Sequence, residues 1–286
     1  MNVSHSIWNE NPVVYIWIKH IYSALITTIY PFANYCVLCK SPKHFGFLKW
    51  IIFFHSFCIS IEWLSNAFLI DIYDFQPSVV LKLTGYLANT FPPMFLYSAY
   101  IVIEEVSSTS ALILFCSRLL LIANMYRPHQ TLNRYTLEFL IYTLVAAFGL
   151  WPIPTTIWHI PDQVAAKSVI VHQSQEPYYP DCLFEPVAIV TTDPGSGDEN
   201  VAILTIVNHI SVGIAIFVSA KLAFWMLSQR MVNQSEATKK LHKKFNQRTI
   251  FQVCARILAF LRLYEFLPGF CPILAHFLPM CCPFLA

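Results

Sequence analysis

An ionised side chain in the middle of a bilayer costs roughly 2.5–3.5 kcal/mol to insert, so charges that interrupt long apolar runs are the first place to look for function. Glu62 and Arg118 are two such charges, each inside a different run. Neighbouring helices can pair them within a bundle. Glu104 and Glu105 stand side by side toward the other end of the run that holds Arg118. Adjacent carboxylates there suit a polar ligand in a water-filled cavity, and they suit a plainly hydrated rim equally well. A third group is Lys239, Lys240, Lys243, Lys244 and Arg248 in the stretch SEATKKLHKKFNQR. At helical spacing 240, 244 and 248 share a face that can meet an acidic partner or anionic headgroups, although membrane topology alone also asks for basic connections.

No catalytic constellation accompanies these charges. The ten histidines form no HExxH or similar metal cluster, and neither a Gly-rich phosphate loop nor a GxSxG elbow is present. The expectation is a non-enzyme with no metal and no cofactor. Cys36-x-x-Cys39 has the spacing of a redox or metal pair, yet it lies in an apolar run with no second pair, so both cysteines read as small apolar residues. Cys182 is expected on the oxidising side, where Cys271, Cys281 or Cys282 could pair with it only if the C-terminus shares that side.

The elements that must hold these groups follow from composition. Of 286 residues, 56% are hydrophobic and 12% charged, against about 25% charged in soluble domains. An ordinary soluble domain is excluded, and no basic patch interleaved with aromatics suggests nucleic acid. The chain reads as one all-α polytopic membrane helix bundle over residues 1–286. Apolar runs long enough to span about 30 Å of hydrocarbon fall near 21–39, 50–70, 95–124, 137–157, 201–227 and 249–270. The last carries Arg256, Arg262 and Glu265 and is the poorest. Cys271–Ala286 is 16 residues with three prolines, so a seventh span is not visible. Residues 1–20 lack the pattern of a cleaved signal, and the first span is expected to anchor itself.

Orientation follows from the Lys and Arg of the connections. Segments 40–49, 126–136 and 228–249 carry eleven, whereas 1–20, 71–94 and 158–200 carry three together with ten acidic residues. The N-terminus is therefore expected outside. Asn2 in Asn2-Val3-Ser4 is then a glycosylation acceptor, whereas Asn233-Gln234-Ser235 falls inside and reads as chance. The long 158–200 connection, acidic and partly aromatic, is expected either to cover the outer mouth of the bundle as a lid or to be a loose insertion.

Five stretches in order carry a resemblance: CKSPKHFGFLKW at 39–50, MYRPHQTLNR at 125–134, IPDQVAAKSVI at 160–170, YYPDCLFEP at 178–186 and SEATKKLHKKFNQRTIFQ at 235–252. Together they resemble the nematode serpentine chemoreceptors of the Str group, classes H and I. That resemblance implies a seven-helix G-protein-coupled receptor in the plasma membrane of a sensory cilium, binding a small chemical and meeting a heterotrimeric G protein. Carried over by position, Tyr126, Arg127, His129 and Gln130, with Lys239, Lys240, Lys243 and Lys244, would contact that G protein. After Gln252 the sequence departs from the family, which implies an atypical or truncated C-terminus. The competing reading is a non-signalling polytopic membrane protein: a degenerate receptor, or a small transporter or channel subunit. Ligand-dependent signalling would mark the first and solute flux the second.

Overall fold

The computed structural model describes residues 13–41, 46–75, 80–126, 132–173, 179–192 and 199–230. Helices α1 (Val13–Thr27) and α2 (Ile29–Tyr35) run into a π-helical segment, Cys36–Lys40. Next come α3 (Phe47–Leu64), a second π segment at Ser65–Leu69, and strands β1 (Ile72–Asp74) and β2 (Val80–Leu83). Then follow α4 (Pro93–Tyr126), α5 (Leu132–Leu150), α6 (Pro152–Trp158), α7 (Gln163–Gln173), a 3-10 turn at Asp181–Phe184, β3 (Ala188–Val190) and α8 (Glu199–Arg230).

Among the described residues, four helical stretches are long and apolar enough to cross a membrane: Ile16–Lys40, Phe47–Leu69, Pro93–Ile122 and Tyr135–Trp158. Helices that leave Leu, Ile, Phe and Trp exposed on their outer faces need lipid to cover them, and helical backbone is what lipid tolerates. In α8 the apolar part is the shorter Val207–Ala223. The expected sixth span at 249–270 lies outside the described residues.

Two boundaries differ from the sequence reading. The first helix begins at Val13 rather than near residue 21, and Lys19 falls inside it. Lys19 is accommodated because its Nζ donates to Asp71 Oδ1, an opposite charge at the end of the next span. The fourth expected span is two helices. Pro152 and Pro154 cannot continue the ladder of α5, and Pro152 instead opens α6, where a missing N–H does no harm.

The chain divides into two compact units, Met1–Tyr35 with Ser56–Ser107 and Leu150–Val207, and Cys36–His55 with Ser108–Gly149 and Asn208–Ala286. In the first unit the described parts of the connections, 71–75, 80–92, 159–173 and 179–192, fold together into a cap, so the second is no loose insertion. The strands form an antiparallel sheet in the order β1-β2-β3, with Tyr73 opposite Lys82 and Leu81 opposite Ile189. Alternation sends Ala188 and Val190 to one face, where they pack with Phe75, Val80, Ala166, Ile170, Cys182 and Leu183. Ile189 and Leu83 point the other way, onto Ile70, Ala88 and Leu96, with Tyr97 and Tyr100 of α4 against them. Cys182 is therefore a buried core side chain of the cap, 1% exposed, not a thiol open to solvent.

The residues of the cap motifs have identifiable local work. Asp162 Oδ1 accepts the backbone N–H groups of Val164 and Ala165 at 3.0 and 2.9 Å, capping α7. The Gln163 amide pairs with the edge of β3, donating to Val190 O at 3.0 Å and accepting Val190 N–H at 2.8 Å. Lys82 meets Glu185 at 3.0 Å. Gly85 lets the chain pass close over the end of the second span, since a Cβ there would stand 2.3 Å from Leu69 O.

Candidate functional site

The first unit holds the polar groups with the clearest mutual order. Tyr97, Tyr100, Glu104 and Ser107 follow one another on α4 at intervals of three or four residues, which places them on one face. Tyr97 and Tyr100 lie nearly parallel, 6.5 Å between ring centres and 12° between planes. The Tyr100 hydroxyl lies within electrostatic reach of the Glu104 and Glu62 carboxylates. Ser107 Oγ donates to Glu62 Oε2. Glu62 sits one turn before the π segment Ser65–Leu69, a kind of helix irregularity often found at functional sites.

The face therefore runs from two aromatic rings, against which the cap packs, to two carboxylates and a hydroxyl deeper in. Glu105 stands about 100° round the helix from Glu104 and is 4% exposed. A hydrated rim does not describe Glu105. On α4, Ser107, which donates to Glu62, and Arg118 are separated by about 16 Å of helical rise. Arg118, in the second unit, lies over the Phe115 ring at 5.8 Å.

Near the entry to this region Asp71 is 4% exposed in its side chain and holds Lys19 on one oxygen, with His20 Nε2 3.5 Å from the other. Its φ of +43° is left-handed, a conformation that Asp tolerates better than most residues. In the cap, burial pulls the Lys167 ammonium below its ordinary pKa, partly offset by Cys182, while burial raises the Tyr73 phenol.

The second unit is ordered by small and hydroxyl residues. His55 Nδ1 and Ser110 Oγ are 2.8 Å apart, Tyr142 donates to Ser117 at 3.1 Å, and Gly149 seats against Thr109. Ala111 and Leu112 pack with Val212 and Ile216 of α8.

Of the residues singled out in the sequence, Glu62 and Glu104 share the first-unit cluster, Glu105 is buried beside it, and Tyr126 is the last residue of α4. Asn2, Arg127, His129, Gln130, Lys239, Lys240, Lys243 and Lys244 lie outside the described residues. Sequence reasoning missed Tyr97, Tyr100 and Ser107, although their spacing from Glu104 was visible. It also missed the Lys19–Asp71 pair, which had no local signal.

Hydroxyls, aromatic faces and carboxylates on a bundle's inner side, beneath a folded cap, are equipped for recognition inside a membrane protein. The family model described as "Serpentine type 7TM GPCR chemoreceptor Srh" matches residues 10–266. The chain belongs to this family of nematode-type serpentine seven-transmembrane chemoreceptors. The match runs through residue 266, so the departure expected directly after Gln252 is not borne out. A comparison with curated proteins finds no match to the chain.

Proposed function

We propose that this receptor binds a small chemical on the α3–α4 face carrying Glu62, Tyr100 and Glu104, beneath the cap, and reports it to a heterotrimeric G protein. The N-terminus is then outside, the wider relationship is to the Str group, and the working location is the plasma membrane of a sensory cilium. The observation that carries this reading is the order Tyr97, Tyr100, Glu104, Ser107 on one helical face with Glu62 against it. Such groups supply hydrogen bonds, stacking and negative charge to a bound molecule. A ligand that binds one bundle arrangement better than another shifts the population between them. Tyr126, Arg127, His129 and Gln130, with Lys239, Lys240, Lys243 and Lys244, are the proposed G-protein contact.

The experiment is a G-protein activation sensor in cells displaying the full chain, challenged with a panel of water-soluble and volatile chemicals, alongside tags in 1–12 and 231–248 to report sidedness. The expected result is a chemical that activates the wild type, with a weaker response from Tyr100→Phe and Glu62→Gln at equal surface level. Solute flux with no G-protein response, or the 231–248 tag outside, overturns the proposal.

A further inference from the structure

The α3–α4 face lies under a roof. Tyr97 and Tyr100 pack against the buried cluster that Leu83 and Ile189 of the cap form with Ile70, Ala88 and Leu96. A molecule arriving from the cap side therefore reaches Glu104 and Glu62 only after the cap has moved. The fastenings of the cap converge on Asp71, between the π segment Ser65–Leu69 and β1. Its backbone oxygen accepts both the N–H and the hydroxyl of Thr84, each at 2.8 Å, which ties it to the end of β2. Its own N–H donates to Ser65 O at 3.3 Å, on the second span. The side chain reaches a third element, α1. Lys19 donates to one carboxylate oxygen, and His20 Nε2 lies 3.5 Å from the other. The His20 ring also rests near Phe68, 5.7 Å between ring centres. All of these residues belong to the first compact unit.

The two partners differ in a way that makes this contact the one to give. The Asp71 side chain is 4% exposed and that of Lys19 is 22% exposed, so the ammonium has a way to water that the carboxylate lacks. A carboxylate buried so deeply is tolerated while it is paired and is costly once it is not. When Lys19 leaves, Asp71 must reach water in turn. Because its backbone is held in the left-handed region and bonded to Thr84, that movement carries the start of β1 and the end of β2 with it. We propose that the Lys19–Asp71 pair is the clasp of the cap: joined, it keeps the roof shut, and released, it lets the roof lift and bare the α3–α4 face. His20 is the second holder of the same carboxylate. The inference rests on the ligand site of the proposed function and adds the route into it.

The test reads two places on the full chain in lipid nanodiscs. Amide exchange at 84–87, whose N–H groups donate to Asp71, Ile70, Phe68 and Leu69, reports release of the clasp. Hydroxyl-radical oxidation of Leu96, 2% exposed beneath the roof, reports the lift. Lys19→Met strands a buried carboxylate and should speed exchange at 84–87 by about 10-fold or more and raise oxidation of Leu96. Asp71→Asn keeps a side chain that tolerates the left-handed backbone and removes only the charge, so both readouts should rise by less. Adding His20→Lys to Lys19→Met returns a cation to Asp71 and should bring both back toward the wild type. Exchange at 110–117 of α4 should stay unchanged throughout. Wild-type values in both Lys19→Met and Asp71→Asn overturn the clasp. So does an equal rise at 110–117, which is general loosening, or faster exchange at 84–87 with Leu96 still protected. Neither readout needs a ligand or a G protein, so failure here leaves the sensor assay of the proposed function standing, and failure there leaves the clasp standing.

Discussion

Removing the Gln163 amide tests whether one side chain closes the edge of the cap sheet. That amide treats Val190 as a neighbouring strand would, giving one hydrogen bond and receiving another, at 3.0 and 2.8 Å. Val190 is 0% exposed, so water cannot replace either bond without the cap opening. A buried backbone group left unsatisfied costs about 1–3 kcal/mol, and two of them give about 2–6 kcal/mol for Gln163→Ala. At about 1.4 kcal/mol per decade, local opening becomes at least about 30-fold more frequent. Gln163→Glu keeps an acceptor for Val190 N–H and loses the donor to Val190 O, so it falls between the two. Amide hydrogen exchange on the full chain in lipid nanodiscs reads this directly. Protection at 188–191 should fall in the order wild type, Gln163→Glu, Gln163→Ala, with α4 unaffected. Unchanged protection at 188–191 in Gln163→Ala would refute the reasoning.

Other outcomes follow from contacts already described. A Cβ at Gly149 would stand 2.3 Å from Thr109 Oγ1, so Gly149→Ala lowers the thermal midpoint, in the range of about 1–3 kcal/mol typical of overpacking; adding Thr109→Ala should recover part of the loss, and strictly additive effects would exclude the contact. Ser107→Ala removes a donor from Glu62 and should destabilise by about 1–3 kcal/mol, whereas Glu62→Gln, still able to accept, should cost less in the same melt. The Lys167 pKa is lowered by burial, so the folded state binds fewer protons there than the unfolded state, and stability from this group rises with pH through the lowered pKa toward the ordinary lysine value. Tyr73, raised by burial, acts oppositely in the alkaline range. The test is therefore the difference between wild type and Lys167→Met: the variant should be more stable at neutral pH, with the gap narrowing as pH rises, and a gap independent of pH would contradict it.

How far the fold was legible depended on whether a signal was local. The first four membrane spans were visible because an apolar run long enough to cross hydrocarbon is a property of consecutive residues. The first boundary was misplaced because Lys19 looked like a charge in a connection, and the Asp71 that permits it inside the helix is 52 positions away. The break at Pro152 was not read from the sequence, where 137–157 stood as one span despite its two prolines. The cap sheet had no usable pattern: strands of three and four residues show little alternation, and their pairing is non-local. In the candidate site, Glu62 and Glu104 stood out because charge is conspicuous in an apolar run. Ser107, among Ser107-Ser108-Thr109-Ser110, looked like any small helix residue, and only the approach of α3 singles it out. The stretches IPDQ and YYPDCLFEP were noticed as resemblance, while the work of Asp162 as a cap and Cys182 as core filling required the fold.

The pairing of Val80 with Val190 also carries information about counting. Two strands can join one sheet only if they lie on the same side of the bilayer, so the chain between Leu83 and Ala188 must cross the membrane an even number of times. The candidate spans Pro93–Ile122 and Tyr135–Trp158 supply two. This parity holds whichever end of the molecule is outside, because it depends on no charge count. It also fixes an order of events: β2 is synthesised and left with an open edge until both of those helices have inserted and β3 has returned. A chain arrested between them displays an open strand edge on β2, and completion of the cap is then a structural signature that this pair of crossings has been made.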